Sequence, residues 1–139
     1  QATKTILNRP PVASFVYSPA FPSANETVTF NASASYDPDG YIINYTWNFG
    51  DGNITTAYTP TITHVYTVEG NYIVTLTVID DDNATDVITG TVAVGKWPPV
   101  AVFTYSPESP IAGETVTFNA SESYDPNGNI VSYVWNFGD

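Results

Sequence analysis

A gap-free internal repeat governs what this chain can become. Pro11 to Asp51 aligns onto Pro99 to Asp139 at an offset of 88, and 29 of the 41 pairs are identical. A repeat this long is a whole domain rather than one turn of a solenoid, whose periods run from roughly 20 to 50 residues. Within it the apolar residues recur every second position, which is the period of a half-buried strand and not of a helix. Val28, Phe30 and Ala32 alternate with Thr27, Thr29 and Asn31. Ile43, Tyr45, Trp47 and Phe49 form the expected inward set against Asn44, Thr46 and Asn48, and Tyr72, Val74, Leu76 and Val78 extend the pattern. Turn chemistry separates these runs: Asp37-Pro38-Asp39-Gly40, Gly50-Asp51-Gly52 and Glu69-Gly70-Asn71 place Pro and Gly where the chain must reverse. Short strands punctuated in this way predict an all-β, two-sheet antiparallel sandwich in tandem copies.

The same alignment sets the domain boundaries. Residues 11–95 form one complete domain, 96–98 a short Lys-Trp-Pro linker, and 99–139 the first half of a second domain. Residues 1–10 read as the last strand of a preceding repeat or as a free N-terminal strand. Because the second copy stops just after its Trp135 strand, its inner face is expected to be open. A window from a longer tandem array accounts for this most simply; strands donated by a neighbouring chain, or an accidental truncation, would account for it too.

Composition removes several classes of function. There is no Cys, one His, and three Lys+Arg against 14 Asp+Glu, for a formal charge of -11. Thiolate chemistry, Cys-ligated zinc and multi-histidine metal sites are excluded. Nucleic acid is excluded as a partner, because phosphate binding needs a basic stripe. No apolar run approaches the roughly 18 residues of a membrane-inserting helix, so no membrane insertion is expected of this segment.

The spaced motifs Ser35-Tyr36-Asp37-Pro38-Asp39-Gly40, Tyr45-Thr46-Trp47-Asn48-Phe49-Gly50-Asp51-Gly52, His64-Val65-Tyr66 and Gly70-Asn71-Tyr72-Ile73-Val74-Thr75-Leu76-Thr77-Val78 resemble, in order, the polycystic kidney disease (PKD) repeat. The resemblance covers residues 11–95 and recurs over 99–139, with Asn127 in place of Asp39. It implies an immunoglobulin-like β-sandwich that is extracellular and non-catalytic. Similar modules occur in archaeal surface-layer and other cell-surface proteins, and as accessory domains of secreted proteases and chitinases.

Two sets of residues are candidate sites. Asn25, Asn31, Asn44, Asn53, Asn83 and Asn119 each open an N-x-S/T sequon, against roughly two or three expected by chance from this composition. They predict N-linked glycans, most of them on outward strand positions or in turns. Asp37 and Asp39 in one loop, with Asp80, Asp81 and Asp82 at the end of the Tyr72 strand, offer hard oxygen ligands suited to calcium. Some PKD-like domains of secreted proteases hold a calcium near these loops, so the resemblance implies one here as well. The plainer reading is a capped turn and a solvated acidic loop. Trp47, Tyr45 and Phe49 have the inward phase and belong to the core rather than to a sugar-stacking platform. Neither His64 nor Asp51 has the partners catalysis needs, and no enzyme is expected in this segment.

Together these features predict a glycosylated, extracellular cell-surface protein of archaeal type. Its tandem modules would build a filament, sheath or surface layer through end-to-end contacts between copies. The alternative is an accessory module of a secreted hydrolase that binds polysaccharide or collagen. A further catalytic domain encoded beside it would favour the alternative, and many more repeats the array.

Overall fold

The computed structural model describes residues 2–3 and 5–139. The chain divides into two compact units, Gln1–Gly95 and Lys96–Asp139. In the first, β1 (Val16–Ser18), β2 (Thr27–Asn31) and β5 (Thr61–Val65) form one sheet in the order β1-β2-β5. The strands β3 (Ile42–Asn48), β4 (Ile54–Ala57), β6 (Gly70–Asp80) and β7 (Thr85–Val94) form the other, in the order β4-β3-β6-β7. Every pairing is antiparallel.

Alternation carries the core into place. Val28 and Phe30 of β2, Tyr45 and Trp47 of β3, and Val74, Leu76 and Val78 of β6 are buried between the sheets together with Phe49 and Tyr66. The Phe30 and Trp47 rings lie 5.5 Å apart at 51°, and Phe30 lies 5.3 Å from Phe49, so an aromatic cluster welds the two layers. One expected inward residue is corrected. The β3–β6 register shifts between Ile42 and Asn44, and this bulge makes Ile42, not Ile43, the residue packed against the core. Residues 2–3 and 5–10 form no strand, contrary to the sequence expectation for that segment; positions 1 and 4 lie outside the described residues. Loop hydrogen bonds hold Asn8 and Arg9 instead.

The second unit contains β8 (Thr104–Ser106) and β9 (Thr117–Asn119), antiparallel to one another. Its Val100–Tyr124 bridge repeats the Val12–Tyr36 bridge of the first unit. The expected strand around Trp135 is absent: residues 129–139 are irregular. In the first unit the corresponding strand is laddered on both sides by β4 and β6, and here no described strand pairs with it. The rings nevertheless keep the same arrangement, with Phe118 5.5 Å from Trp135 at 53°. They line an open concavity of about 480 Å³, and Phe137 is 61% exposed where Phe49 is 1% exposed.

Candidate functional site

Two features of the first unit merit a functional reading: an acidic pole and an uncharged flank. The pole is built by the 37–40 turn and the β6–β7 turn. Asp80 is the last residue of β6 and continues the inward phase of Val74, Leu76 and Val78, so its side chain is fully buried. Three donors satisfy it: the backbone N–H groups of Asp82 (3.0 Å) and Ala84 (2.7 Å) reach Oδ1, and Asn8 Nδ2 reaches Oδ2 at 2.9 Å. Burial pushes the Asp80 carboxyl up, but these hydrogen bonds outweigh it and hold the group below its ordinary value.

Asp37 is the opposite case. Its Oδ1 accepts the Asp39 N–H at 3.3 Å, while Oδ2 is buried without a partner. Desolvation, reinforced by the charges of Asp80, Asp39 and Asp81, raises its pKa despite the bond from Asp39. Gly40 allows this crowding, since a Cβ there would collide with Asp81 Oδ1 and lie 2.7 Å from Asp37 Oδ2. Asp81 Oδ1 accepts from Tyr41 N at 3.1 Å. The structure therefore gathers Asp37, Asp39, Asp80 and Asp81. Asp82 joins through its backbone, and its side chain is exposed. Among the described residues no three His or carboxylate side chains stand with metal-holding spacing. The orphaned Asp37 oxygen suits a cation, whereas the fully bonded Asp80 does not.

The pole also grips the incoming chain. Arg9 N–H bonds to the Asp39 carboxylate at 3.2 Å, and 88 residues later Trp97 N–H bonds to Asn127 Oδ1 at 3.3 Å. Asp39 and Asn127 thus do the same structural work, which needs only one carbonyl-type oxygen. Sequence reading missed Asn8 as a partner of Asp80; no local pattern joins positions 72 residues apart. It also missed Tyr66, whose buried hydroxyl bonds to the Phe49 carbonyl at 3.1 Å. The signals for Tyr66 are its place in the His64-Val65-Tyr66 motif and its inward phase just beyond the end of β5, neither of which names the Phe49 carbonyl as its partner. His64 stacks on Phe49 at 4.0 Å and pairs with Asp51 at 2.7 Å, an arrangement that braces a turn.

Most sequon asparagines have work in the fold. Asn25 and Asn83 hold positive φ angles of 67° and 68°, and the counterpart of Asn25 in the second unit is Gly113 at 82°, so that turn requires a left-handed residue. Asn31 and Asn119 accept the N–H groups of Ser33 and Ser121, both at 2.9 Å. Asn53 Nδ2 donates to Asp51. Asn44 was expected to point outward, but it is partly buried, with Oδ1 shielded and unpartnered.

The flank is the outer face of β4-β3-β6-β7. Strand register aligns Thr56, Thr46, Thr77 and Val87 in one row and Ile54, Asn48, Thr75 and Thr89 in the next. The Thr46 and Thr56 hydroxyls bond at 2.9 Å. The strands of the first unit hold two carboxylates, Asp80 and Asp86. Both are on the inward phase, with Asp86 accepting the Ala13 N–H at 2.8 Å.

A PKD domain model matches residues 8–94 and again residues 96–139. The chain belongs to the PKD domain family. It is 42% identical over 69 residues to a microbial collagenase of Vibrio alginolyticus, covering 50% of this chain but 8% of the collagenase. Among solved structures, the first PKD domain of the Vibrio cholerae metalloprotease PrtV matches at 36% identity and a TM-score of 0.55, covering 63% of this chain and 99% of that one. A structure described for carbohydrate-binding modules of the β-sandwich superfamily matches at 34% identity and a TM-score of 0.64, covering 81% of this chain and 54% of that one. No helix among the described residues is long and apolar enough to cross a membrane.

Proposed function

We propose that this chain is a non-catalytic, extracellular accessory module that holds a larger hydrolase against a polymeric substrate, polysaccharide or collagen. The observation that carries the reading is the company this PKD fold keeps: its relatives include domains within a collagenase and a metalloprotease and a carbohydrate-binding structure. Incubating the 139-residue protein with insoluble chitin, cellulose or collagen and sedimenting it tests this. Depletion from the supernatant by any one polymer supports the module, and no depletion by all three overturns it.

The gap-free 88-residue repeat favours a second reading, a tandem array whose copies build a surface filament or layer by end-to-end contacts. Concentration-dependent polymers seen by electron microscopy would support it. Both readings accommodate N-linked glycans at the six sequons, and an intact mass of protein from its natural source equal to the bare polypeptide would remove them. Calcium at Asp37, Asp39, Asp80 and Asp82 has the orphaned Asp37 oxygen in its favour, and against it the full bonding of Asp80 and the exposed Asp82 side chain. A melting temperature unmoved by millimolar calcium would discard that site.

A further inference from the structure

Resting on the accessory-module reading, we propose that the outer face of β4-β3-β6-β7 is the surface that lies against the polymer, and that the polymer is an uncharged polysaccharide. Charge distribution is the first reason. A protein of net charge -11 keeps its carboxylates in loops or turned inward, so both outer faces of the sandwich are uncharged, and the β4-β3-β6-β7 face is the broader, with strands of 4, 7, 11 and 10 residues against 3, 5 and 5 in β1-β2-β5. A polyanion finds no cation on this face, and a cationic partner is drawn to the acidic pole instead. A collagen helix, with ionised side chains along its length, would find nothing here to pair them. A neutral partner loses nothing by the face's lack of charge.

Chemical texture is the second reason. Each threonine shows a methyl and a hydroxyl side by side, and exposed Ile54, Ile73 and Val87 add apolar area to the hydroxyl rows. Sugar polymers present the same mixture, with C–H faces and hydroxyl edges. Neighbouring strands stand about 4.8 Å apart, and side chains recur about every 6.8 Å along each, so the face is a regular lattice suited to an extended, repeating ligand. The aromatic rings that would otherwise serve as a stacking platform are spent inside: Trp47 is wholly buried and Phe49 nearly so. Ladder hydrogen bonds already fix the four strands, so docking orders little that is not ordered beforehand.

The test uses the intact 139-residue chain in sedimentation with microcrystalline cellulose, chitin and insoluble collagen. Wild type is expected to sediment with at least one of the two polysaccharides. T56E/T89E, which places a charge near each margin of the face, should weaken that binding about tenfold or more. T29E/T63E, on the outer face of β1-β2-β5, should leave it unchanged. If T56E/T89E no longer melts cooperatively, T56A/T89A replaces it and should weaken binding in the same direction. Wild-type binding to polysaccharide that the face variants leave intact would overturn the proposed surface but not the module. Binding to collagen alone would overturn the ligand class and again spare the module, whereas no binding to any polymer would remove both.

Discussion

At the scale of single residues, two neighbouring carboxyls respond to pH in opposite senses. Asp80 is held below its ordinary value of 3.8, so its contribution to stability is fully present above that value and is lost as pH falls through the lower folded value. Thermal melting of the wild type should therefore drop on acidification below about pH 4, and D80N, which melts lower at neutral pH, should show a shallower acid limb. Asp37 is raised, so the folded state binds the extra proton between 3.8 and its folded value, and this group costs stability as pH rises through that window. D37N should melt higher than wild type at neutral pH, with the difference vanishing in acid. Y66F should cost about 1 kcal/mol in urea denaturation, the net worth of one buried hydrogen bond. The sequence showed that aspartates crowd two loops, but not that Asp80 is buried. Its place at the head of an Asp triplet looks like a solvated turn, and only the extension of β6 beyond Val78 to Asp80 turns it inward.

At the scale of elements, alternation revealed β2, β3 and β6 and their buried faces, because a core on one side imposes a period of two. It misjudged the start of β3, where the bulge before Asn44 changes the phase. It also misplaced a strand at Trp135, since identical residues form a ladder only when something pairs with them. Close approach between elements was equally invisible: a Cβ on Gly90 in β7 would lie 2.8 Å from the Phe15 ring. G90V should push that ring out of place and cost about 1–3 kcal/mol, measured as a lower denaturant midpoint with unchanged cooperativity.

At the scale of the whole molecule, the two units share a sequence but not a degree of closure. Amide exchange should be slow at the core positions of β2, β3 and β6 and fast throughout residues 99–139, where Trp135 and Phe137 remain partly or largely exposed. Equal protection in both units would contradict the open concavity. The repeat announced the fold and its tandem layout, whereas the uncharged threonine flank emerged only when strand register aligned residues from β3, β4, β6 and β7.

The near-identity of 11–51 and 99–139 also bears on how the chain reaches its native state. Residues 52–95 carry the strands that cover Phe30, Trp47 and Phe49, and the rings at Phe118, Trp135 and Phe137 present them with almost the same template. During synthesis the 11–51 template leaves the ribosome before its near-copy, so vectorial emergence favours the native pairing in a competition that refolding of the 139-residue chain from denaturant reopens. Refolding yield from denaturant should therefore fall below the yield from synthesis, and equal yields would remove the competition.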